Sequence, residues 1–221
     1  MAATDTRGQK TRERLLDAAE RLFAEYGFSE TSLRAVTSEA GANLAAVGYH
    51  FGSKADLLRE VVRRVVRPLH AEQLRLLEEL EGGESKLSVE ELLEAYVSPM
   101  FDLLTRDGGR DRVLPRLLFR ILSDPGKETR RIAISEVKEV DERYLRAFGQ
   151  VLPHLPPDEL WWRFKSIVGM VVFHRAEMLS EEWSSETQPG SVADERTWTI
   201  AFLTAALRAP ASSPRPAEHT E

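Results

Sequence analysis

From Thr11 the apolar residues Leu15, Ala18, Ala19, Leu22, Phe23 and Tyr26 recur at three- and four-residue steps, the mark of a helix with one buried face. Gly27 ends that pattern. Thr31 or Ser32 then caps a second helix, in which Leu33, Val36 and Ala40 share a face and Gly41 closes the run. A tight turn, Gly41-Ala42-Asn43, leads into a short helix from Leu44 that stops at Gly52. Ser53 and Asp56 form a capping box for a longer helix through Leu57, Val61, Val62, Val65 and Val66.

Beyond Glu79 the stretch EGGES reads as a loop, and Ser88 with Glu91 caps a helix through Leu92, Tyr96 and Leu103. Further helical patterns cover about 111–122, 127–152, 157–180 and 193–208, separated by segments such as SDPGK, PHLPP and SSETQPGS. No run alternates apolar and polar residues in the manner of a strand. The pattern predicts an all-α chain of about nine helices. Residues 210–221, with three prolines and almost nothing to bury, are expected to be a disordered tail.

Composition narrows the classes. The chain has 221 residues, 42% hydrophobic and 30% charged, which is the balance of a soluble globular protein with room for a sizeable core. There is no cysteine, so disulfides, thiolate catalysis and cysteine-held metals are excluded, and a reducing cytoplasm fits. No apolar stretch of signal-peptide length opens the sequence, and SIVGMVVF at 166–173 is far short of the roughly 20 residues that a membrane span needs. The net charge of −6 is uneven: residues 1–67 carry 11 Lys/Arg against 9 Asp/Glu. Arg7, Lys10, Arg12 and Arg14 cluster ahead of the first apolar residues, which permits nucleic-acid binding without demanding it.

A helix of two turns barely holds itself together in water, so the short helix from Leu44 must be fixed by its neighbours. Two short helices joined by a tight turn, with longer helices before and after, are the parts of a helix-turn-helix that places its second helix in the major groove. Ala45 and Ala46 are small enough for close approach to bases, and Leu44 or the alanine methyls can meet thymine methyls. Asn43 caps the helix beside the position where phosphate is attracted. Tyr49 and His50 can donate to phosphate oxygens, Lys54 adds a full charge, and Val47 and Phe51 face inward.

The run from Thr11 to Leu57 resembles the N-terminal domain of the TetR family of bacterial transcription regulators. The resemblance rests on LFAEYGF, TSLRAV, EAGAN and YHFGSK. It implies that Thr31, Ser32, Asn43, Tyr49, His50 and Lys54 touch the phosphate backbone of a double-stranded operator, with Arg34, Leu44, Ala45 and Ala46 nearest base edges. Gly48 departs from the pattern, because the family commonly carries there a side chain that reaches DNA. The implied division is a helix-turn-helix domain at 1–55, a helical ligand-binding and dimerisation domain at 56–209, and the tail.

In that family the C-terminal helices bind a small molecule and form a homodimer. Helix 157–180 is apolar nearly all round and, with helix 193–208, fits a dimer-forming four-helix bundle; an intramolecular core is the alternative. The expected effector contacts are Phe101, Leu104, Arg116, Phe119, Arg120, Trp162, Arg163, Met170, Phe173 and His174, with Leu118 and Leu122 as further wall. LPRLLFRILSDP and PPDELWWRFKSIVGMVVF resemble a subgroup that includes regulators responding to fatty acids or acyl-coenzyme A. An amphipathic anion of that kind suits an apolar cavity with an arginine.

Two rivals differ in class. An enzyme finds no support, since the chain has no Walker or GxGxxG loop, no HExxH and no histidine pair at metal-ligand spacing, and no cofactor is expected. A helical sensor or interaction protein without DNA binding would differ by lacking salt-dependent duplex binding.

Overall fold

The computed structural model describes residues 2–104, 113–175 and 192–212. Among the described residues the fold consists of nine helices and no strand: α1 (Ala2–Tyr26), α2 (Leu33–Glu39), α3 (Leu44–His50), α4 (Lys54–Gly82), α5 (Val89–Leu104), α6 (Val113–Ser123), α7 (Lys127–Val151), α8 (Pro157–Arg175) and α9 (Val192–Arg208). No described helix is long and apolar enough to cross a membrane. The all-α expectation holds. The last turn expected for helix 157–180 and the residues of the tail from 213 onward lie outside the described residues.

α1 starts at Ala2, well before Leu15, the first fully buried residue of its apolar face. It packs on α2, α3, α4 and α6. Leu15, Leu16, Ala18, Ala19 and Phe23 are buried there with Val36 of α2, Val47 of α3 and Leu57, Leu58 and Val61 of α4. At the end of α1, Gly27 adopts φ +83°, a left-handed turn that a side chain would strain.

α4 is shared by both halves. It packs on α1 at its start and on α5 and α7 farther along, so the division expected at residue 55 falls inside one continuous helix. Ion pairs bind these elements side to side: Arg64 of α4 to Asp17 (2.8 Å) and to the buried Glu20 of α1, Arg63 to Glu136 of α7 (2.8 Å), and Arg12 to Glu60 (2.5 Å).

A polar lock joins α4, α5 and α7. The Gln73 amide donates to the Tyr96 carbonyl (2.8 Å), and the Tyr144 hydroxyl donates to the Gln73 carbonyl (2.7 Å). The Tyr96 hydroxyl donates to Asp141 (2.7 Å). Burial raises the Asp141 carboxyl above its ordinary range, and the Tyr96 hydrogen bond opposes that shift. Each buried polar atom named here has a partner, so the lock fixes helix register without leaving a desolvated group unpaired.

α9 packs on α5 and α8. Arg163 of α8 closes its C-terminal end: Nη1 donates to the carbonyls of Ala206 (2.8 Å), Leu207 (3.2 Å) and Ala209 (2.8 Å), and Nη2 to Pro210 (2.7 Å). Glu159 pairs with Arg163 and accepts from the Ser212 amide at 3.0 Å. Helices end with unsatisfied carbonyls and a partial negative charge, and a guanidinium answers both. The first residues expected to belong to the disordered tail, 210–212, are therefore held against α8.

Candidate nucleic-acid interface

Each short helix is fixed from both ends and from beneath. Ser32, not Thr31, caps α2, its hydroxyl accepting from the Ala35 amide (3.1 Å). Asn43 caps α3 by accepting from the Ala46 amide (2.9 Å), and Ser53 caps α4 by accepting from the Asp56 amide (3.0 Å). Gly52, at φ +86°, turns the chain between α3 and α4. Val47 is 1% exposed, and Phe51 at the end of α3 is buried as well, with the Arg12 guanidinium 5.4 Å from its ring centroid. Neighbours on three sides thus hold a helix too short to stand alone.

What remains outward is one face. Leu44 is 50% exposed, Tyr49 is 85% exposed, and Ala45 and Gly48 between them are exposed as well. These four positions, i, i+1, i+4 and i+5, form a shallow ridge of small and flat groups flanked by Asn43 and Ser32, both exposed. Arg34 is exposed on α2. Ala46 and His50 are half-buried at the edge of the ridge, with the His50 ring 4.9 Å from that of Tyr49 in an edge-on contact.

Two expected phosphate contacts look different in three dimensions. Thr31 is only 3% exposed, and its hydroxyl donates to the carbonyls of Gly27 (2.7 Å) and Leu22 (3.1 Å). Thr31 therefore ties the α1–α2 turn together, and its side chain does not face a groove. Lys54 folds back so that its ammonium lies 4.4 Å from the Phe28 ring centroid and 3.4 Å from the Ser29 carbonyl. Burial lowers its pKa from the ordinary lysine value, against the opposing pull of Asp124, Glu30 and Glu128. A phosphate contact from Lys54 requires its side chain to swing outward. Arg12, one of the four basic residues ahead of Leu15, is likewise turned inward as a brace between Glu60 and Phe51.

Residues 94–206, just over half of the chain, match the model of the tetracyclin repressor-like C-terminal domain, and residues 15–61 match that of the bacterial regulatory proteins of the tetR family. The chain belongs to the TetR family. Among curated TetR-type relatives, the transcriptional regulator BetI of Agrobacterium fabrum is 27% identical over 67% of this chain and 66% of its own length. The dual regulator CecR of Shigella flexneri is 32% identical over 48% of this chain and 49% of its own length. The chain thus spans less than two thirds of the length of either relative. Two solved structures share the fold: a TetR-family regulator from Shewanella sp. PV-4 (TM-score 0.62, 16% identity, 89% of this chain and 97% of that one) and the fatty acid degradation regulator FadR from Bacillus halodurans (TM-score 0.64, 17% identity, 90% and 96%). Both matched models describe regulatory proteins.

The effector contacts expected for a TetR body are divided between core, surface and groove. Phe101 is 1% exposed and belongs to the core. Arg116 and Arg120 are exposed on α6, and Arg120 donates to the Glu25 carbonyl (3.3 Å). Half-buried Phe119 meets Phe173 at 6.2 Å between ring centroids, while Leu118 is half-buried and Leu122 is exposed. The side chain of Leu104 lies outside the described residues. Trp162, Met170 and His174 line an open groove of about 1160 Å³ beside α9, with Phe202 on the opposite wall. Arg163 borders that groove, but its donors are engaged by the end of α9 and by Glu159, so none is left directed into the groove. The sequence could not announce this role, because its acceptors lie 43 to 47 residues away. Among the described residues no group of histidine, aspartate and glutamate side chains could hold a metal ion.

Proposed function

We propose that this TetR-family chain is a homodimeric transcriptional repressor that reads a near-palindromic double-stranded operator through α3 and leaves it when a small molecule binds the helical body. The supporting observation is the ridge of Leu44, Ala45, Gly48 and Tyr49. It is outward and small in profile, set on a helix whose other side is locked by Val47 and Phe51. Such a surface suits close approach to base edges in a major groove, with Asn43, Ser32 and Arg34 at its margins and His50 and Lys54 behind.

Dimerisation is supported by the large apolar side chains left outside on α8 and α9: Trp161, Trp162, Phe173, Trp198 and Phe202. A second copy would cover them, and two readers one helical turn apart, about 34–36 Å, match two half-sites. An amphipathic anion such as a fatty acyl compound is the first effector class to screen. Its docking would favour a dimer whose readers no longer fit successive grooves.

The test is duplex binding across a salt series with a sequence selected from a random pool. Tyr49→Phe and Lys54→Ala should each weaken binding to all duplexes, and Lys54→Ala, which removes a charge, should also make its salt dependence shallower, both leaving the dimer intact. Unchanged affinity in both variants would sink the assignment of these two residues. Absence of any salt-dependent duplex binding would instead favour a sensor without DNA contact.

A further inference from the structure

We propose that the first turns of α1 form a second duplex-contacting element, a cationic ridge of Arg7, Lys10 and Arg14 that grips phosphates flanking the site read by α3. The inference rests on the reading that α3 engages duplex DNA.

The three residues stand at i, i+3 and i+7, so they share one face of α1. All three are exposed. Among the described residues none of them pairs with a carboxylate, whereas Arg12, Arg59, Arg63 and Arg64 in the same half of the molecule all do. Arg34 and Arg67 in this half are likewise exposed and form no ion pair among the described residues, but only in α1 do three such cations line one face of a single helix within two turns. Arg7 to Arg14 spans about 10 Å of helix, the axial length over which one DNA strand carries about three charges.

The ridge adjoins the reader at its Arg14 end. On another face of α1, a side chain at Gly8 would begin 4.0 Å from Cε1 of His50, at the last residue of α3, so the early turns of α1 lie against the reader. The Arg14 guanidinium reaches 3.5 Å from where a Gly41 side chain would begin, in the turn before α3. The stripe thus ends beside the turn that enters α3, and one step beyond Arg14 the same face carries Ala18, fully buried in the reader's core. None of the exposed large hydrophobic side chains falls on this stretch, so the chemistry is that of a polyanion contact and not of insertion into a lipid surface. Contacts of this type position the protein and carry no base preference.

The test compares the wild-type protein, the triple variant Arg7→Gln, Lys10→Gln, Arg14→Gln, and the charge-keeping double variant Arg7→Lys, Arg14→Lys. Each is titrated against the duplex selected by the wild type. If all three cations contact phosphate, the triple variant should show a slope of log affinity against log salt shallower by about 2.7 per bound chain, about 5.4 for the two-chain complex, and an affinity loss of ~8-fold per lost contact at 0.1 M salt. Its selected half-site sequence and thermal midpoint should match the wild type, and the double variant should keep the wild-type slope. Trimming the duplex to the edge of the half-sites should abolish the wild type's advantage over the triple variant. An unchanged slope in the triple variant, or an equal loss in the double variant, would overturn the ridge while leaving the regulator reading in place. If the wild type selects no duplex, both fail together.

Discussion

Arg163→Ala separates a structural from a ligand-contacting role at the one arginine that, among the described residues, borders the α8–α9 groove. Its guanidinium faces the carbonyls of Ala206, Leu207, Ala209 and Pro210 at 2.7–3.2 Å, and its side chain is 10% exposed. The two Nη1 hydrogens cannot serve three carbonyls fully. Taking two net hydrogen bonds from a charged donor at about 1.5 kcal/mol each gives a loss of about 3 kcal/mol on truncation. For a chain of this size that corresponds to a thermal midpoint lower by about 6–12 °C. Arg163→Lys keeps the charge but loses the planar fork, so it should recover only part of the loss. The assay is thermal unfolding without effector, together with amide exchange in the last turn of α9, which should lose protection first. A midpoint within a degree of wild type, with α9 protection unchanged, would refute the capping argument and return Arg163 to the list of candidate ligand contacts.

Gly48→Ala should stabilise α3 by about 1 kcal/mol, because Gly48 is helical and nothing lies within 4 Å of where its side chain would begin; amide exchange within α3 should slow by about fivefold, and faster exchange would contradict this. Burial holds the His70 imidazole below its ordinary pKa of 6.5 against the pull of Glu136 and Glu139. The unfolded chain therefore binds more protons there, so stability falls as pH drops through 6.5 toward the lower folded value. His70→Gln should flatten that part of the pH profile, and an unaltered profile measured by denaturant titration would refute it. Phe202, 61% exposed on α9, is expected at the dimer face. Losing about 1.5 kcal/mol of burial per protomer in Phe202→Glu should raise the dimer dissociation constant by more than ~100-fold, seen by light scattering; an undiminished dimer would place the interface elsewhere.

Local chemistry was readable from the chain alone. Asn43, Ser53 and Ser88 each cap the helix that follows, because a cap and its acceptor or donor lie within three residues of one another. The buried positions Leu15, Ala18, Val36, Val47 and Val61 follow from helical spacing for the same reason. Thr31 and Ser32 could not be told apart as caps, since either hydroxyl suits and only packing decides which turns inward. α1 begins earlier than its apolar pattern, and the contacts that hold its early turns, such as Arg12 with Glu60 and Phe51, are long-range and leave no periodic mark.

Long-range partnerships stayed hidden. Arg12 looked like one of four equivalent cations until Glu60, 48 residues away, and Phe51 claimed it. Lys54 likewise read as a free charge, although the fold lays it over Phe28. Effector contacts suffer most, because a cavity wall is assembled from several helices and leaves no periodic trace in any one of them.

The central claim is tested most directly by selecting bound duplexes from a random pool with the wild-type protein and titrating the winner at two salt concentrations. The account predicts a near-palindrome whose half-sites are centred about 34–36 Å apart, bound by two chains with affinity that falls steeply as salt rises. A folded protein that enriches no sequence and binds no duplex in a salt-dependent way would contradict it.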